Sequence, residues 1–375
     1  MHTNIPKRNY GLDIIRSVAI LMVVVSHCTY FLSIESEHPV ILILRILGAV
    51  GVDLFFLLSG FLIGGILLKL MENNQTHFTD LIIFWKRRWF RTLPNYFLIL
   101  TVNIIIVLML GEYLPKNIPM FFPFLQNFSS PHPDFFTESW SLSIEEYAYL
   151  FLPLIFYGLF WFFRGLRAKH VFLWGTIGVI LILFLIKLKF YVQHSIVSYS
   201  DWSLSFRKVV LYRLDAIYLG FLLIYLVRRY ADFFKNFKNL FALLGIVLFT
   251  AIHYSIYEFQ VLPQTHLWFY VFLYLGVISL CCALFFPFAI HLRRIKPFDK
   301  IFYFLSTRSY AIYLVNYSII LLNLQRSFNI GSMNVLEKTI MIIFYMVLTL
   351  ILSNGVYLYF EKPILKYRNR NYKNY

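Results

Sequence analysis

The chain has 375 residues, 60% of them hydrophobic and only 14% charged, with a formal net charge of +16 at neutral pH. A soluble domain carries about a quarter charged residues, so this composition excludes an ordinary soluble globule and points to a multi-pass membrane protein. The cationic excess comes with no soluble basic face and no nucleic-acid motif, which excludes nucleic acid as the partner and leaves membrane topology as its reading.

The first apolar run, 12–32, follows a basic N-terminus in the manner of a signal peptide. It is too long for such a peptide's apolar core, and no small-residue cleavage site follows. A retained first helix is therefore expected. A bilayer core needs about 20 apolar residues per helix, and the later runs that qualify are 48–68, 93–110, 141–163, 171–190, 209–227, 240–257, 267–290, 301–324 and 339–360. The second has an alternative start at Val40, after Pro39, with a break at Gly48 or Gly51. This predicts an all-α fold of about ten transmembrane helices. No internal repeat or low-complexity tract is visible, so 1–375 reads as a single membrane domain with no appended soluble hydrolase-like domain.

The flanks of these runs alternate in charge. Lys7 and Arg8, Lys69 to Arg91, Arg164 to Lys169, Arg228 to Lys238, Arg293 to Lys300 and Lys362 to Lys373 form the rich set. Arg45, Lys116, Lys187, Lys189, Arg207, Lys208, Arg326 and Lys338 form the other, roughly three times poorer. The positive-inside rule then puts both termini in the cytoplasm. The longest outward loop, 111–140, contains PMFFPFLQNF and is expected to dip back into the protein or lie on the interface. Cys28, Cys281 and Cys282 all sit in apolar runs without metal-ligand spacing, so no disulfide and no metal is expected.

Ionisable residues inside the runs are functional hypotheses, because a charge near a helix centre costs about 2.5–3.5 kcal/mol on insertion scales. Arg16 and His27, eleven residues apart, fall within about 20° of one helix face and about 16 Å apart along the axis. The plain alternative is a snorkelling Arg and a satisfied core His. Glu145 and Glu146 lie near the outer end of the fourth helix, at the expected depth of His27. A carboxylate there would orient a His base. Ser143 with Glu146 reads as a capping box, whereas Glu145 has no such explanation. Asp53 sits in a run whose glycines, Gly48, Gly51, Gly60, Gly64 and Gly65, permit close helix approach, and packing and ligand binding weigh equally for it. Arg213 and Asp215, two apart, do not share a helix face and are expected to pair across helices. Lys86, Arg87, Arg88 and Arg91 gather just before the third run, either as ordinary positive-inside bias or as a site for a phosphate-rich ligand, since Arg forks match phosphate.

The segments LDIIRSVAILMVVVSH, GVDLFFLLSGFLI, KRRWFRTLP, WSLSIEEYAYLFLP, YRLDAIYLGFLL, SYAIYLVN and FEKPILKY, in that order, resemble the membrane-bound acyltransferase family 3, whose bacterial members O-acylate sugars. The resemblance covers almost the whole chain. It departs at Asn316, where the family often has His, so a role for that second His does not carry over. It implies an enzyme of the bacterial inner membrane that moves an acetyl group from cytoplasmic acetyl-CoA to a hydroxyl of an extracytoplasmic glycan, with lipopolysaccharide or lipid-linked O-antigen preferred. His27 would be general base or transient acyl carrier, helped by Glu145. Arg16, Arg87, Arg88 and Arg91 would bind the cofactor, and Asp53, Trp140 and Glu146 the acceptor. Two other readings stand beside it: a transporter of a lipid-linked sugar or small anion, and acyl transfer to a small molecule such as a macrolide.

Overall fold

The computed structural model describes residues 8–32, 38–163 and 165–371. Lys7, Arg164 and Lys373 of the charge pattern lie outside these. Among the described residues there is no strand, and nine helices are long and apolar enough to cross a membrane. They are α1 (Tyr10–Cys28, continued by a 3₁₀ turn, Thr29–Phe31), α2 (Pro39–Glu72), α3 (Phe78–Met109), α4 (Ser139–Phe162), α5 (Ala168–Gln193), α6 (Val210–Arg229), α7 (Lys238–Glu258), α8 (Phe269–Ile290) and, after the intervening α9, α10 (Val335–Arg370).

The expected run 301–324 is present as α9, residues 299–327, built from Asp299–Val315, a π-turn Asn316–Leu321, and Leu322–Ser327. Its serines, Arg308 and Asn316 keep it out of the nine apolar helices. Its place explains this: Ser306, Ser309, Asn316 and Ser318 are buried against protein, where hydrogen bonds replace the need for an apolar surface.

Local signals set the helix ends. Asn9 caps α1 by accepting from the amides of Gly11 (2.9 Å) and Leu12 (3.2 Å). Pro39 opens α2 at a position where its missing N–H costs nothing, and α2 then runs unbroken through Gly48 and Gly51. His77 and Asp80 start α3 as a capping box, well before the expected residue 93. The basic cluster Lys86 to Arg91 therefore lies on a helix and not ahead of one, which gives its side chains fixed directions.

Along its length α2 packs on α1 and α6, and α9 packs on α1. Glycines permit the α2 contacts. A methyl group placed on Gly60 would lie 1.9 Å from the Ile217 carbonyl oxygen, and one on Gly51 2.6 Å from that of Ala19. Backbone cannot move aside as a side chain can, so Gly60→Ala is expected to pry α2 from α6. The cost should be at least the usual overpacking loss of about 1–3 kcal/mol. A lowered unfolding midpoint in detergent checks this; an unchanged midpoint counts against it. By contrast α7 buries only Gly245 and is peripheral.

Four buried charges link α2, α5 and α6. Arg213 bonds Asp53 and, at 3.2 Å, Asp215, which in turn holds Lys187 at 2.5 Å. The signs alternate and cancel, which is how such groups are tolerated inside a bundle. Two expectations change here. Arg213 does reach Asp215, two residues on, while each also pairs across helices as expected, with Asp53 and Lys187. Lys187, read as an outward flank, is buried within α5. The loop 111–140 does fold back into the protein: Phe121, Gln126, Asn127, His132 and Phe136 are buried, and the Tyr96 hydroxyl donates to the Phe121 carbonyl at 2.8 Å. The three cysteines are free and buried.

Candidate active site

Because α1 is continuous from Tyr10 to Cys28, Arg16 and His27 stay on one face, and both meet α9. Arg16 donates to the Ser306 hydroxyl at 3.0 Å, and His27 Nδ1 lies 2.5 Å from Asn316 Oδ1. Their positions on the helix put them about 16 Å apart along its axis.

Arg16 opens onto a cavity walled by α1, α2, α3, α4 and α9, with Ser59, Arg88, Arg91, Glu145, Tyr149 and Tyr313 in its lining. A wider hollow at the end where α1 begins adds Arg8, Ser306 and Glu361. The two meet at Arg16, Leu62, Arg88 and Arg91, so a cationic passage leads from this basic end into the bundle. Neither Arg88 nor Arg91 forms a salt bridge among the described residues. Arg88 sits over the Tyr149 ring, 5.6 Å from its centroid. At the inner end the cavity is bounded by Tyr313 and Ser141, whose hydroxyls are 2.6 Å apart.

His27 lies beyond that bridge and outside the cavity lining. Its partner Asn316 donates through Nδ2 to the carbonyls of Ile312 and Tyr313, both at 2.8 Å. Only an N–H donates to a carbonyl, so Oδ1 is left as the acceptor for His27 and for the Tyr345 hydroxyl at 3.3 Å. In the neutral ring Nδ1 then carries the proton and Nε2 the free lone pair. Tyr317 (4.9 Å) and Tyr30 (6.1 Å) flank the imidazole. The formal charge that acts on it is that of Lys208, just ahead of α6, whose ammonium is pushed down to about 8 by burial and by Arg207.

The structure gives several of the expected site residues other partners. Glu145 does not orient His27: it accepts from Ser59 (3.0 Å) and Tyr149 (2.8 Å) on the cavity wall. The reason is that α4 begins at Ser139, which sets Glu145 about 9 Å inside the helix start. Glu146 forms no capping box with Ser143, which instead accepts from Gln126 at 2.7 Å. Glu146 lines a separate hollow beside Trp89 and Phe97. Asp53 is consumed by its pair with Arg213 and is absent from the cavity lining. Trp140 is packed edge-on to Phe56 (5.9 Å) beneath the Arg207 guanidinium (5.0 Å), also away from the cavity. Of the four arginines assigned to the cofactor, Arg16, Arg88 and Arg91 converge. Arg87 is not in the lining, and its carbonyl accepts from Arg368 at 3.0 Å.

Some residues escaped the sequence reading altogether. Ser59, Tyr149 and Tyr313 carry no signal beyond ordinary helix content. Glu138, one residue before α4, looked like a loop residue. It is buried, accepts from the Ser318 hydroxyl (2.6 Å) and amide (3.3 Å), and leaves Oε2 with no partner among the described residues. Burial lifts its carboxyl to about 7. His132, bonded to Pro133 and Ser139 in the folded-back loop, is pushed down to about 4 by burial.

A family model described as "Acyltransferase domain" matches residues 9–358. The chain belongs to that family. Among curated proteins this acyltransferase-family chain is 35% identical to the peptidoglycan O-acetyltransferase OatA of Listeria monocytogenes over 123 residues, 28% of this chain and 19% of that protein. It is 29% identical to the O-acetyltransferase OatA of Staphylococcus aureus over 164 residues, 40% of this chain and 25% of that protein. The matches thus span a quarter or less of these relatives' length. No solved structure is significantly similar.

Proposed function

We propose that this protein is a membrane O-acetyltransferase that takes acetyl groups from cytoplasmic acetyl-CoA and places them on hydroxyls of an extracytoplasmic glycan. The observation that carries the reading is the division of labour along α1: Arg16 at a cationic cavity and, three turns on, His27 with Nε2 free. In this reading the basic end and both termini face the cytoplasm of a bacterial inner membrane. The names of the relatives favour peptidoglycan as acceptor over lipopolysaccharide or O-antigen sugars.

The cationic passage fits the donor. CoA brings phosphates at one end and a slender thioester arm at the other. Arg88, Arg91 and Arg16 offer cations without carboxylate partners tight enough to neutralise them all, and Arg forks match phosphate oxygens. Transfer needs the Tyr313–Ser141 bridge to part, since the cavity ends there. His27 Nε2 then takes the proton of the acceptor hydroxyl. The hydroxyl oxygen forms the new C–O bond, the C–S bond breaks, and the imidazolium returns the proton to the departing thiolate. In the relay variant Nε2 is the ring atom that would take and pass on the acetyl group, because Nδ1 is held by Asn316.

Purified protein is expected to bind acetyl-CoA, with affinity falling about tenfold or more in Arg16→Ala and in Arg88→Ala, the size of a lost charge-assisted contact. A transporter of lipid-linked sugars predicts no such binding, and its absence in the wild-type protein would overturn the acyltransferase reading. Comparing O-acetyl content of peptidoglycan and of lipopolysaccharide, with and without the gene, decides the acceptor.

A further inference from the structure

His27, Tyr30 and Tyr317 form a triangle of rings, with centroids 4.9 Å apart for His27–Tyr317 and 6.1 Å for the other two pairs. All three are half-buried, so each keeps surface to offer, and none lines the cationic cavity. On the other side of the Tyr313–Ser141 bridge, then, an aromatic patch surrounds His27 Nε2, which has no hydrogen-bond partner among the described residues. Glu138 is pinned by Ser318, the residue after Tyr317, and is only 5% exposed with Oε2 unpaired. Glu138 and Asp134 are the carboxylates whose charge acts on Tyr317. Sugar rings present C–H faces that settle on aromatic rings and hydroxyl edges that bond carboxylates. A buried carboxylate oxygen without a partner calls for such a donor.

We propose that Tyr30 and Tyr317 form the acceptor subsite, holding one sugar ring against His27, with Glu138 Oε2 accepting a second hydroxyl of that ring. This rests on the acyltransferase reading above and adds to it where and how the acceptor binds. The second hydroxyl contact fixes which hydroxyl is turned toward Nε2, so the subsite sets position as well as affinity.

The test uses the full chain in detergent and two probes measured separately, acetyl-CoA and a disaccharide fragment released from peptidoglycan. Tyr317→Ala and Tyr30→Ala are each expected to weaken disaccharide binding by about tenfold, the size of one lost aromatic contact. Acetyl-CoA affinity should stay within about twofold. Tyr317→Phe, which keeps the ring, should recover the acceptor affinity, and Glu138→Gln should lower it without touching the donor. Unchanged disaccharide binding in both alanine variants overturns the subsite while leaving the acyltransferase reading intact, as does an equal loss of both ligands. Wild-type protein that binds acetyl-CoA but not the disaccharide also overturns it. Failure of the wild type to bind acetyl-CoA instead removes the reading on which the subsite rests.

Discussion

His27→Ala is expected to remove O-acetylation from the glycan, a loss of about 10²–10⁴-fold for the missing proton transfer, with donor binding retained. The separation of sites is what makes this informative. Arg16, Arg88 and Arg91 line the cavity and His27 does not, so a variant at His27 should stop the chemistry without emptying the donor site. Asn316→Ala gives a graded companion. Without Oδ1 to receive it, the Nδ1 proton no longer favours one tautomer and the ring loses its anchor, and misplacement of a reacting group by about 1 Å costs about 10²-fold. The measurement is O-acetyl content of extracted glycan at matched protein level. Wild-type acetylation in His27→Ala would sink the catalytic assignment. Full activity in Asn316→Ala would show that the hydrogen bond does not set the working tautomer.

Asp53→Ala is expected to destabilise the protein by about 3–5 kcal/mol, because removing one partner of a buried ion pair leaves the other charge stranded. Arg213 is wholly buried, already has its Nε unpaired, and would keep only Asp215, which it shares with Lys187. The double variant Asp53→Leu/Arg213→Met removes both charges, leaves the Lys187–Asp215 pair intact, and should regain most of the loss. Folded fraction and unfolding midpoint in detergent measure both proteins. A single variant as stable as wild type would show that water or a rearranged partner reaches the guanidinium, and would return Asp53 to the list of acceptor-binding candidates.

Much of the fold was legible because a bilayer imposes a one-dimensional rule. Every spanning segment must be about 20 apolar residues, so nine of the ten expected runs appear as apolar helices. The tenth, α9, is the helix that other helices surround, and burial in protein relaxes the rule. Helix starts were less legible. The starts expected at residues 48 and 93 gave way to Pro39, beside the alternative Val40, and to Phe78, since caps and neighbours stabilise early turns that a hydropathy window does not register.

The sequence by itself determined that Arg16 and His27 share a face, because helical geometry converts a spacing of eleven into an angle and a rise. It also marked the second-helix glycines as permitting close approach, with packing and ligand binding weighing equally, and the contacts of Gly51 and Gly60 decide for packing. Only the tertiary structure decided what each charge meets. Asp53 and Trp140 were both acceptor candidates along the chain, and one is paired with Arg213 and the other packed between Phe56 and Arg207. Glu145 moved from helper of His27 to cavity wall, and Asn316 from a departure in a motif to the residue that holds the imidazole. Spacing within a helix is local information, whereas hydrogen-bond partners come from residues as far apart in sequence as His27 and Asn316, and only packing brings those together.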